Sequence, residues 1–291
     1  MSVALPVYNG EELLERSVRS ILTQDHENLE LIISDNASSD GTEEMCRTIA
    51  AGDRRVRYER SEVNRGLAWN WNRCVSMARG DFFKWAAADD EHAPAYVRRT
   101  LERLRSDRDV SLAHCRTVDI DETGQVTGEV LNDLRMDAPS PHERFRELTR
   151  RGYSSVQVFG LVRTETLRKT ALHGAYPRSD RVLLAELGLH GRLVEVDEVL
   201  FRRREYAGRV TRSFDLRERY PIFTGEPVRG PVYPQWRLLR GFLGAVSRAP
   251  LTPVERLRCV AALLPFCVHG RGSLKRELLS VLPAGGSSAT R

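Results

Sequence analysis

The 291-residue chain lacks the features of several common protein classes. Its five cysteines form no C-x-x-C pair and are odd in number, which disfavours both a zinc knuckle and a disulfide framework. The longest apolar stretch near the C-terminus, CVAALLPFCV, is too short to cross a bilayer and contains Pro265. The first apolar stretch begins directly after Met1 and leaves no room for a secretory leader. We therefore expect a cytoplasmic protein.

Lysine is also scarce, because only three of the 45 basic residues are lysine. The basic residues are scattered along the chain and stand against 40 acidic residues, which leaves a formal net charge of +5. Scattered charges of both signs do not indicate a surface for nucleic acid. Apolar residues make up 41% of the sequence, as is ordinary for a folded domain. We expect a globular protein without a nucleic-acid partner.

No glycine-rich phosphate loop follows the first predicted strand. Neither G-x-G-x-x-G nor G-x-x-x-x-G-K-[ST] occurs there, which argues against a Rossmann dehydrogenase and a P-loop kinase. A phosphorylated ligand would therefore be neutralised chiefly by a metal ion, with help from basic side chains.

Apolar strands alternate with helical patterns over the first hundred residues, which is typical of a mostly parallel sheet with helices on both faces. The strands are predicted at residues 2–9, 29–33, 55–59 and 81–87. The intervening helices are predicted at about 13–22, 42–51 and 67–78, with a fourth starting near Pro94. Later we predict strands at 110–116, 154–162 and 198–204, a hairpin that turns at Gly124, and helices at 164–172 and 180–191.

Polar side chains stand where each of the first four strands ends. The stretch LIISDNASSDGT, residues 31 to 42, changes within three residues from a buried strand to acids, amides and serines. Ligands of open parallel sheets bind outside the carboxyl ends of the strands. We therefore expect a ligand crevice that is lined by Asn9, Asp35, Asn36, Asn64 to Gly66, Asp89 and Asp90.

The adjacent carboxylates of AAADDEH suit a hard divalent cation. Mg²⁺ and Mn²⁺ prefer oxygen ligands and often share them with substrate phosphates. An Asp-Asp pair also occurs as the cap and first-turn acid of a helix, and the motif alone does not separate these two roles.

Three blocks of the sequence, taken in order, resemble the family 2 inverting glycosyltransferases, whose fold is called GT-A. The blocks are VALPVYNGEELLERSVRSILTQDHENLELIISDNASSDGT, NRGLAWNWNRCVSMARGDFFKWAAADD and SDRVLLAELGLHGRLVEVDEVLFRRRE. The resemblance implies an α/β catalytic domain over residues 1–215, with a nucleotide-sugar half at about 1–92 and an acceptor half at about 93–215. A helical extension with a loose tail is expected over residues 216–291.

The resemblance also implies roles for individual residues. The donor nucleotide is expected to contact Pro6, Val7, Tyr8, Asn9, Asp35, Asn36, Asn64, Arg65, Gly66, Asp89 and Asp90. In the acidic motif, Asp-x-Asp-Asp in such enzymes, the first acid falls on Ala87, so Asp89 becomes the expected metal ligand. The family's catalytic base falls on Asp180, which could instead cap a helix. The family's Arg-x-His reads Arg204-Glu205-Tyr206 here.

These roles imply a transferase that uses Mg²⁺ or Mn²⁺. It would move a sugar with inversion from a UDP, dTDP or GDP donor to a hydroxyl of a glycan, a lipid-linked sugar or a small molecule. Two alternatives stay open: a sugar nucleotidyltransferase, which normally needs a Gly-rich loop after its first strand, and an inactive donor-binding or glycan-binding protein, suggested by Ala87 and Tyr206. Around residues 254–282, apolar residues alternate with arginines, which fits either a membrane surface or a helix packed on the domain.

Overall fold

The computed structural model describes residues 1–150, 152–206 and 217–279. Within these residues, strands form one sheet in the order β3-β2-β1-β4-β8-β6-β9-β5, and β7 pairs with β6. The strands are β1 (Ser2–Val7), β2 (Glu30–Asp35), β3 (Val56–Arg60), β4 (Phe82–Trp85), β5 (Glu91–His92), β6 (Val110–Ile120), β7 (Val126–Val130), β8 (Leu161–Arg163) and β9 (Arg192–Arg204).

The first four strands are parallel, as the sequence predicts. β1 lies between β2 and β4, and its register places Val7 opposite Asp35 and Ala4 opposite Trp85. β2 pairs with β3 in the same direction. The second half extends the sheet with the parallel pair β6 and β9 and with antiparallel pairings of β8, β7 and β5. The carboxyl ends of β1, β2 and β3 therefore meet at one edge.

Helices connect the strands and cover the sheet. They are α1 (Leu14–Leu22), α2 (Thr42–Gly52), α3 (Leu67–Met77), α4 (Tyr96–Ser106), α5 (Pro141–Thr149), α6 (Thr164–Arg168), α7 (Ser179–His190), α8 (Arg219–Thr224), α9 (Pro234–Arg248), α10 (Pro253–Ala262) and α11 (Leu264–Leu279). No described helix combines the length and the apolar character that a membrane span requires.

The alternation of side chains along β1 separates two hydrophobic clusters. Val3 and Leu5 face the cluster that contains Leu14 and Val18 of α1. Ala4 faces the other cluster, which contains residues of α3, α5 and α7. Because successive strand residues point to opposite faces, a strand that is covered on both sides is apolar at nearly every position, and β1 departs from this only at Ser2. This explains why all six residues of β1 are buried.

The C-terminal helices belong to the second of these clusters. Phe242 of α9 lies with its ring centroid 6.1 Å from that of Phe145 and 5.5 Å from that of Phe266 in α11. Arg248 of α9 donates to both carboxylate oxygens of the fully buried Glu186 in α7, at 2.7 and 3.0 Å. Apolar packing and an ion pair between the exposed Arg248 and the buried Glu186 thus join α9 to α7.

Several predicted elements differ in the structure, and the last strand, β9, begins at Arg192 and not at residue 198. The strand predicted over residues 154–162 is wrong: a 3-10 turn over Val156–Phe159 precedes the short β8. The chain turns because the Val158 amide donates to the Ser155 carbonyl at 3.0 Å, and Gly160 then packs against Leu112. The helix predicted to 172 ends at Arg168, and α7 begins one residue before Asp180. The predicted domain boundary at 215–216 and the tail lie outside the described residues.

Candidate active site

Backbone hydrogen bonds join the ends of β1, β2 and β3, where the sequence predicts the ligand crevice. The Asn36 amide donates to the Val7 carbonyl at 2.9 Å, and the Ser61 amide after β3 donates to the Asp35 carbonyl at 2.8 Å. The loops after these three strands therefore start side by side, where ligands of such sheets bind.

Asp35 is the buried anchor of its loop. Its carboxylate accepts the backbone amide and the hydroxyl of Ser38, at 2.9 and 2.6 Å, and the hydroxyl of Tyr58 at 2.7 Å. Arg60 completes the set with an ion pair at 3.3 Å. The Asp35 side chain is fully buried. Direct contact between Asp35 and a nucleotide therefore stays a prediction, whereas its support of the loop is a feature of the structure.

Asn36 joins the second loop to the Asn64–Gly66 turn. Its side-chain amide donates to the Asn64 side-chain oxygen at 2.8 Å and to the Gly66 carbonyl at 3.2 Å. Its own side-chain oxygen accepts the Arg65 backbone amide at 3.0 Å. Asn36 is buried, while Asn64 and Arg65 are exposed. The structure thus brings these predicted donor residues together, with Asn36 as the support of the turn.

The Asn64–Gly66 turn also touches the C-terminal extension. Gly66 has a φ of +82°, and a Cβ added there would lie 2.4 Å from the backbone nitrogen of Gly225. Gly225, just after α8, has a φ of +74°, and its added Cβ would lie 2.6 Å from the Arg65 carbonyl carbon. The two backbones approach so closely that neither glycine can carry a side chain without displacement.

The four predicted contacts at the end of β1 divide into two pairs. Pro6 and Val7 are buried in the sheet, so they shape the crevice from below. Tyr8 is 50% exposed. Asn9 has a φ of 54°, and its side-chain oxygen accepts the Ser39 amide at 2.8 Å. Of these four residues, Tyr8 and Asn9 are the ones that a ligand could reach.

The acidic turn, Ala87 to Glu91, is held from below by Arg204 of β9. The Arg204 side chain is fully buried and donates to the backbone carbonyl of Asp89 at 3.1 Å and to the carboxylate of Glu91. Its backbone amide donates to the buried Asp90 carboxylate at 2.9 Å. The half-buried Asp89 carboxylate makes no hydrogen bond or ion pair with any described residue. Asp89 is therefore available to a ligand.

A cavity of about 580 Å³ opens beside the acidic turn, and both Asp89 and Asp180 line it. These two acids come from the ends of different elements that lie far apart in the sequence. Aromatic and aliphatic side chains form much of the remaining wall, among them Trp71, Phe159, Phe223, Leu238 and Phe266. The cavity thus combines two carboxylates with an apolar wall, and α8, α9 and α11 contribute to it.

Asp180 lies in the first turn of α7 and is not the cap residue. The N-cap position of α7 is Arg178, which has a φ of 68°. The Asp180 carboxylate accepts the backbone amide of Arg181 at 2.9 Å and a hydrogen bond from Ser155. Burial raises the pKa of the Asp180 carboxyl above its ordinary value, although these hydrogen bonds act in the opposite direction. A half-buried carboxylate with a raised pKa suits proton transfer.

Some residues of this region were not predicted from the sequence. Arg204 belongs to the basic run FRRREYAGR, which suggests either a diphosphate clamp or a solvated surface, yet Arg204 is buried beneath the acidic turn; residues 207–209 of this run lie outside the described residues. Arg181 and His173 also line the cavity. A sequence feature that could have drawn attention to Arg181 is its place as an arginine within the otherwise apolar helix SDRVLLAELGL.

Comparison with protein families identifies the N-terminal part of the chain. Residues 2–168 match the family described as Glycosyl transferase family 2. The putative glycosyltransferase EpsE of Bacillus subtilis is 33% identical over 125 residues, which are 43% of this chain and 45% of that protein. The chain spans about half, or less, of the length of the curated relatives it matches.

Solved structures show the same fold at low sequence identity. The S. aureus TarS 1-349 structure in complex with UDP-GlcNAc has a TM-score of 0.66 at 14% identity, covering 97% of this chain and 81% of that one. The mannosyltransferase PcManGT of Pyrobaculum calidifontis, in complex with GDP-Man and Mn²⁺, has a TM-score of 0.51 at 18% identity, covering 96% and 84%. The fold is of the GT-A type, as expected.

Replacing Asp35 tests whether it supports the loop. Asp35→Ala leaves the half-buried Tyr58 hydroxyl and the buried Ser38 hydroxyl without their acceptor, so we expect the free energy of unfolding to fall by about 2–4 kcal/mol. Denaturant titration measures this, and the exposed Asp81→Ala serves as the control. A stability equal to that of the control would assign Asp35 to ligand contact alone.

Proposed function

Because this chain belongs to glycosyl transferase family 2, we propose that it transfers a sugar, with inversion, from a nucleoside-diphosphate donor to an acceptor hydroxyl. The observation that carries the proposal is the single cavity lined by Asp89 and Asp180. One carboxylate is available for the donor side and the other for the acceptor. UDP, dTDP and GDP sugars are the donor classes, and a glycan, a lipid-linked sugar or a small molecule is the acceptor.

The donor nucleotide binds across the strand-end loops in this proposal. Tyr8 and Asn9 present exposed side chains after β1, and Asn64 and Arg65 do so after β3. Asp35 and Asn36 hold these loops in place through the hydrogen bonds described above. Such a preformed site loses little conformational freedom when the nucleotide binds. The solved relatives in complex with UDP-GlcNAc and with GDP-Man support a donor of this class.

The residues present fit a divalent cation shared with the donor. No group of three or more His, Cys, Asp or Glu side chains in the described part of the chain forms a closed metal cage. Mg²⁺ and Mn²⁺ instead take one or two protein carboxylates and complete their shell with phosphate oxygens and water. Asp89, with its otherwise unengaged carboxylate, would hold the ion. When bound, the ion stabilises the charge that develops on the departing diphosphate.

Asp180 serves as the general base. Its carboxylate accepts the proton of the acceptor hydroxyl while that oxygen attacks the anomeric carbon and the bond to the diphosphate breaks. Attack from the side opposite the leaving group inverts the anomeric configuration. Burial stabilises the protonated form of Asp180 that results, which helps the carboxylate to take the proton. The apolar wall of the cavity keeps competing water away from the donor.

Helices α10 and α11 carry a C-terminal apolar face, by which we mean Val254, Leu257, Val260, Leu264 and Val268, and α11 also reaches the cavity through Phe266. Leu257 is 72% exposed and Leu264 64% exposed. Exposed bases accompany this face, including Arg258 and Arg271. The opposite side of α10 and α11 packs on the domain through Cys259 and Phe266. We propose that the face rests on an anionic membrane surface, where a lipid-linked acceptor would be met.

The role of Asp180 predicts a specific kinetic change. Asp180→Asn should lower kcat by about 10² to 10⁴ while donor affinity changes little, because the base acts on the acceptor. The apparent pKa at which wild-type kcat falls on the acid side should lie above the ordinary aspartate pKa, since Asp180 must be ionised to accept a proton. Donor turnover of the exposed Asp197→Asn variant is the control. A variant with near wild-type kcat would move the base elsewhere.

Folding stability separates this role from a structural one. Because the folded-state pKa of Asp180 is raised, the ionised group opposes folding at any pH above that pKa. Asp180→Asn should therefore melt no lower than the wild type at pH 7. A variant that is both slow and clearly less stable would indicate a structural role for the carboxylate.

The role of Asp89 predicts metal-dependent nucleotide binding. Titration calorimetry should show that Asp89→Ala binds UDP in the presence of Mn²⁺ at least about 10-fold more weakly than the wild type, because one charged ligand of the shared ion is lost. Removing the metal from the wild type should weaken UDP binding comparably. The exposed Asp81→Ala should bind as the wild type does. Metal-independent binding of equal strength in wild type and Asp89→Ala would exclude this role.

Membrane contact can be tested with vesicles of phosphatidylglycerol and phosphatidylcholine. The wild type should co-sediment at low salt, and the double variant Leu257→Glu, Leu264→Glu should bind roughly tenfold less because two apolar contacts are lost. Leu131→Glu, at an 83% exposed position on another part of the surface, is the control. No sedimentation of the wild type at low salt would discard the membrane contact.

A further inference from the structure

Two buried polar side chains in the cavity have nitrogens without partners. Arg181 is 7% exposed and His173 is 5% exposed, and both line the cavity that holds Asp89 and Asp180. The Nε and Nη2 atoms of Arg181 and the Nε2 atom of His173 make no hydrogen bond with the described residues. Buried polar groups are nearly always hydrogen-bonded, and an unpaired buried charge is especially costly. These nitrogens therefore point to a ligand.

No described carboxylate forms an ion pair with the Arg181 guanidinium, which interacts with the Tyr153 side chain and, at longer range, with the charge of Asp180. Its guanidinium carbon lies 4.6 Å from the ring centroid of Tyr153. The Tyr153 hydroxyl donates to the Leu148 carbonyl at 2.8 Å, and burial raises the pKa of Tyr153 to about 12, so this phenol is neutral. The adjacent Asp180 carboxylate accepts the backbone amide of Arg181, and no ion pair joins it to the guanidinium.

Arg203 provides a contrast within the same cavity. Its guanidinium donates to both oxygens of the Asp119 carboxylate, at 2.7 and 2.9 Å, and forms an ion pair with Glu205 at 3.2 Å. An arginine that serves only the structure is paired in this way. Arg181 lines the same cavity and has no carboxylate within ion-pair distance among the described residues.

The unpartnered atoms of Arg181 define the shape of the ligand. Nε and Nη2 form one edge of the guanidinium, with two roughly parallel N–H bonds. This edge matches two oxygens of a carboxylate or a phosphate. The Tyr153 ring packs against the guanidinium, so part of the orientation is set before the ligand arrives.

His173 offers a neutral polar contact. Burial lowers its pKa to about 3, so the ring carries no charge at neutral pH. Asn72 holds the His173 backbone through two hydrogen bonds of 2.9 Å, and the ring packs edge-on against Trp71 and Trp85 with centroids 5.0 Å apart. A neutral imidazole nitrogen in a fixed position suits a sugar or polyol hydroxyl.

We propose that the acceptor is anionic, with a phosphate ester or carboxylate bound to the Nε and Nη2 edge of Arg181 and a hydroxyl bound to His173 Nε2. This inference rests on the proposed function, since it names the class of acceptor for the same cavity. Arg181 follows the base Asp180 directly in the first turn of α7. An anion held there would place a neighbouring hydroxyl of the same molecule near the Asp180 carboxylate. Arg181 thus selects the acceptor, and Asp180 activates it.

The test is binding of small anions to the full chain, followed by tryptophan fluorescence because Trp71 lines the cavity. The probes are glycerol 3-phosphate and glucuronate, with glycerol and glucose as their neutral counterparts. We expect the anions to bind at least about 10-fold more tightly than the neutral compounds. Arg181→Gln should weaken anion binding by about 10- to 100-fold, the range for a hydrogen-bonded charge. Preference for phosphate or carboxylate identifies the acceptor group.

Two variants and one parallel titration make the result decisive. Arg202→Gln removes an exposed charge from β9 and should bind the anions like the wild type. Arg181→Lys keeps the charge but not the paired N–H bonds, so it should recover only part of the loss. Equal binding of anionic and neutral compounds, or an unchanged Arg181→Gln variant, would overturn the proposal.

UDP with Mn²⁺, titrated into the same variants, separates this inference from the proposed function. If Arg181→Gln weakens the binding of UDP as much as the binding of the anions, the guanidinium binds the donor diphosphate and the proposal is wrong. If the wild type binds UDP but none of the anions, the proposed function stands and the anionic acceptor is rejected. If the wild type binds the anions but not UDP, the anion site stands and the proposed donor is rejected.

Discussion

A single buried guanidinium supports the acidic turn on which the candidate site depends. Arg204 of β9 lies beneath the turn and is fully buried. Burying a charge this deeply is tolerated because its donors are taken by oxygen atoms of several loops. Those acceptors are the carbonyls of Asp89, Asp121 and Glu122 and the carboxylate of Glu91. Arg204 therefore ties the end of the parallel half-sheet to the β6–β7 hairpin.

In the loops after β1, β2 and β3, buried side chains likewise support accessible ones. The buried side chains of Asp35 and Asn36 form hydrogen bonds with other parts of the chain. The exposed residues of these loops are accessible to a ligand. A site arranged in this way is rigid before anything binds, because each contacting residue is fixed by a second one below it. The residues that support the loops are thus different from the residues that could contact a ligand, although the two kinds are adjacent in the sequence.

The sequence was most informative where the determinants are local. Strands β1, β2 and β4 are largely apolar, β3 alternates apolar or aromatic with charged residues, and polar turns bound all four. Periodicity alone therefore places them, and the crevice follows from the parallel order. The pattern failed at residues 154–162, where apolar residues resemble a strand while a serine carbonyl closes a turn. It also gave no role to Arg181 or His173, because burial of a polar side chain depends on distant elements such as α9 and α11. The resemblance placed Asp89 and Asp180, but their shared cavity required the structure.

The close approach of Gly66 and Gly225 has a consequence for how this chain can change. Backbone lies against backbone there, so a side chain at either position would push α8 away from the turn that follows β3. The two positions lie in the two parts of the chain that were expected to be separate units, yet neither can vary independently of the other. The appended helices are therefore coupled to the turn after β3, and exchanging them for those of a relative would require a matching turn there.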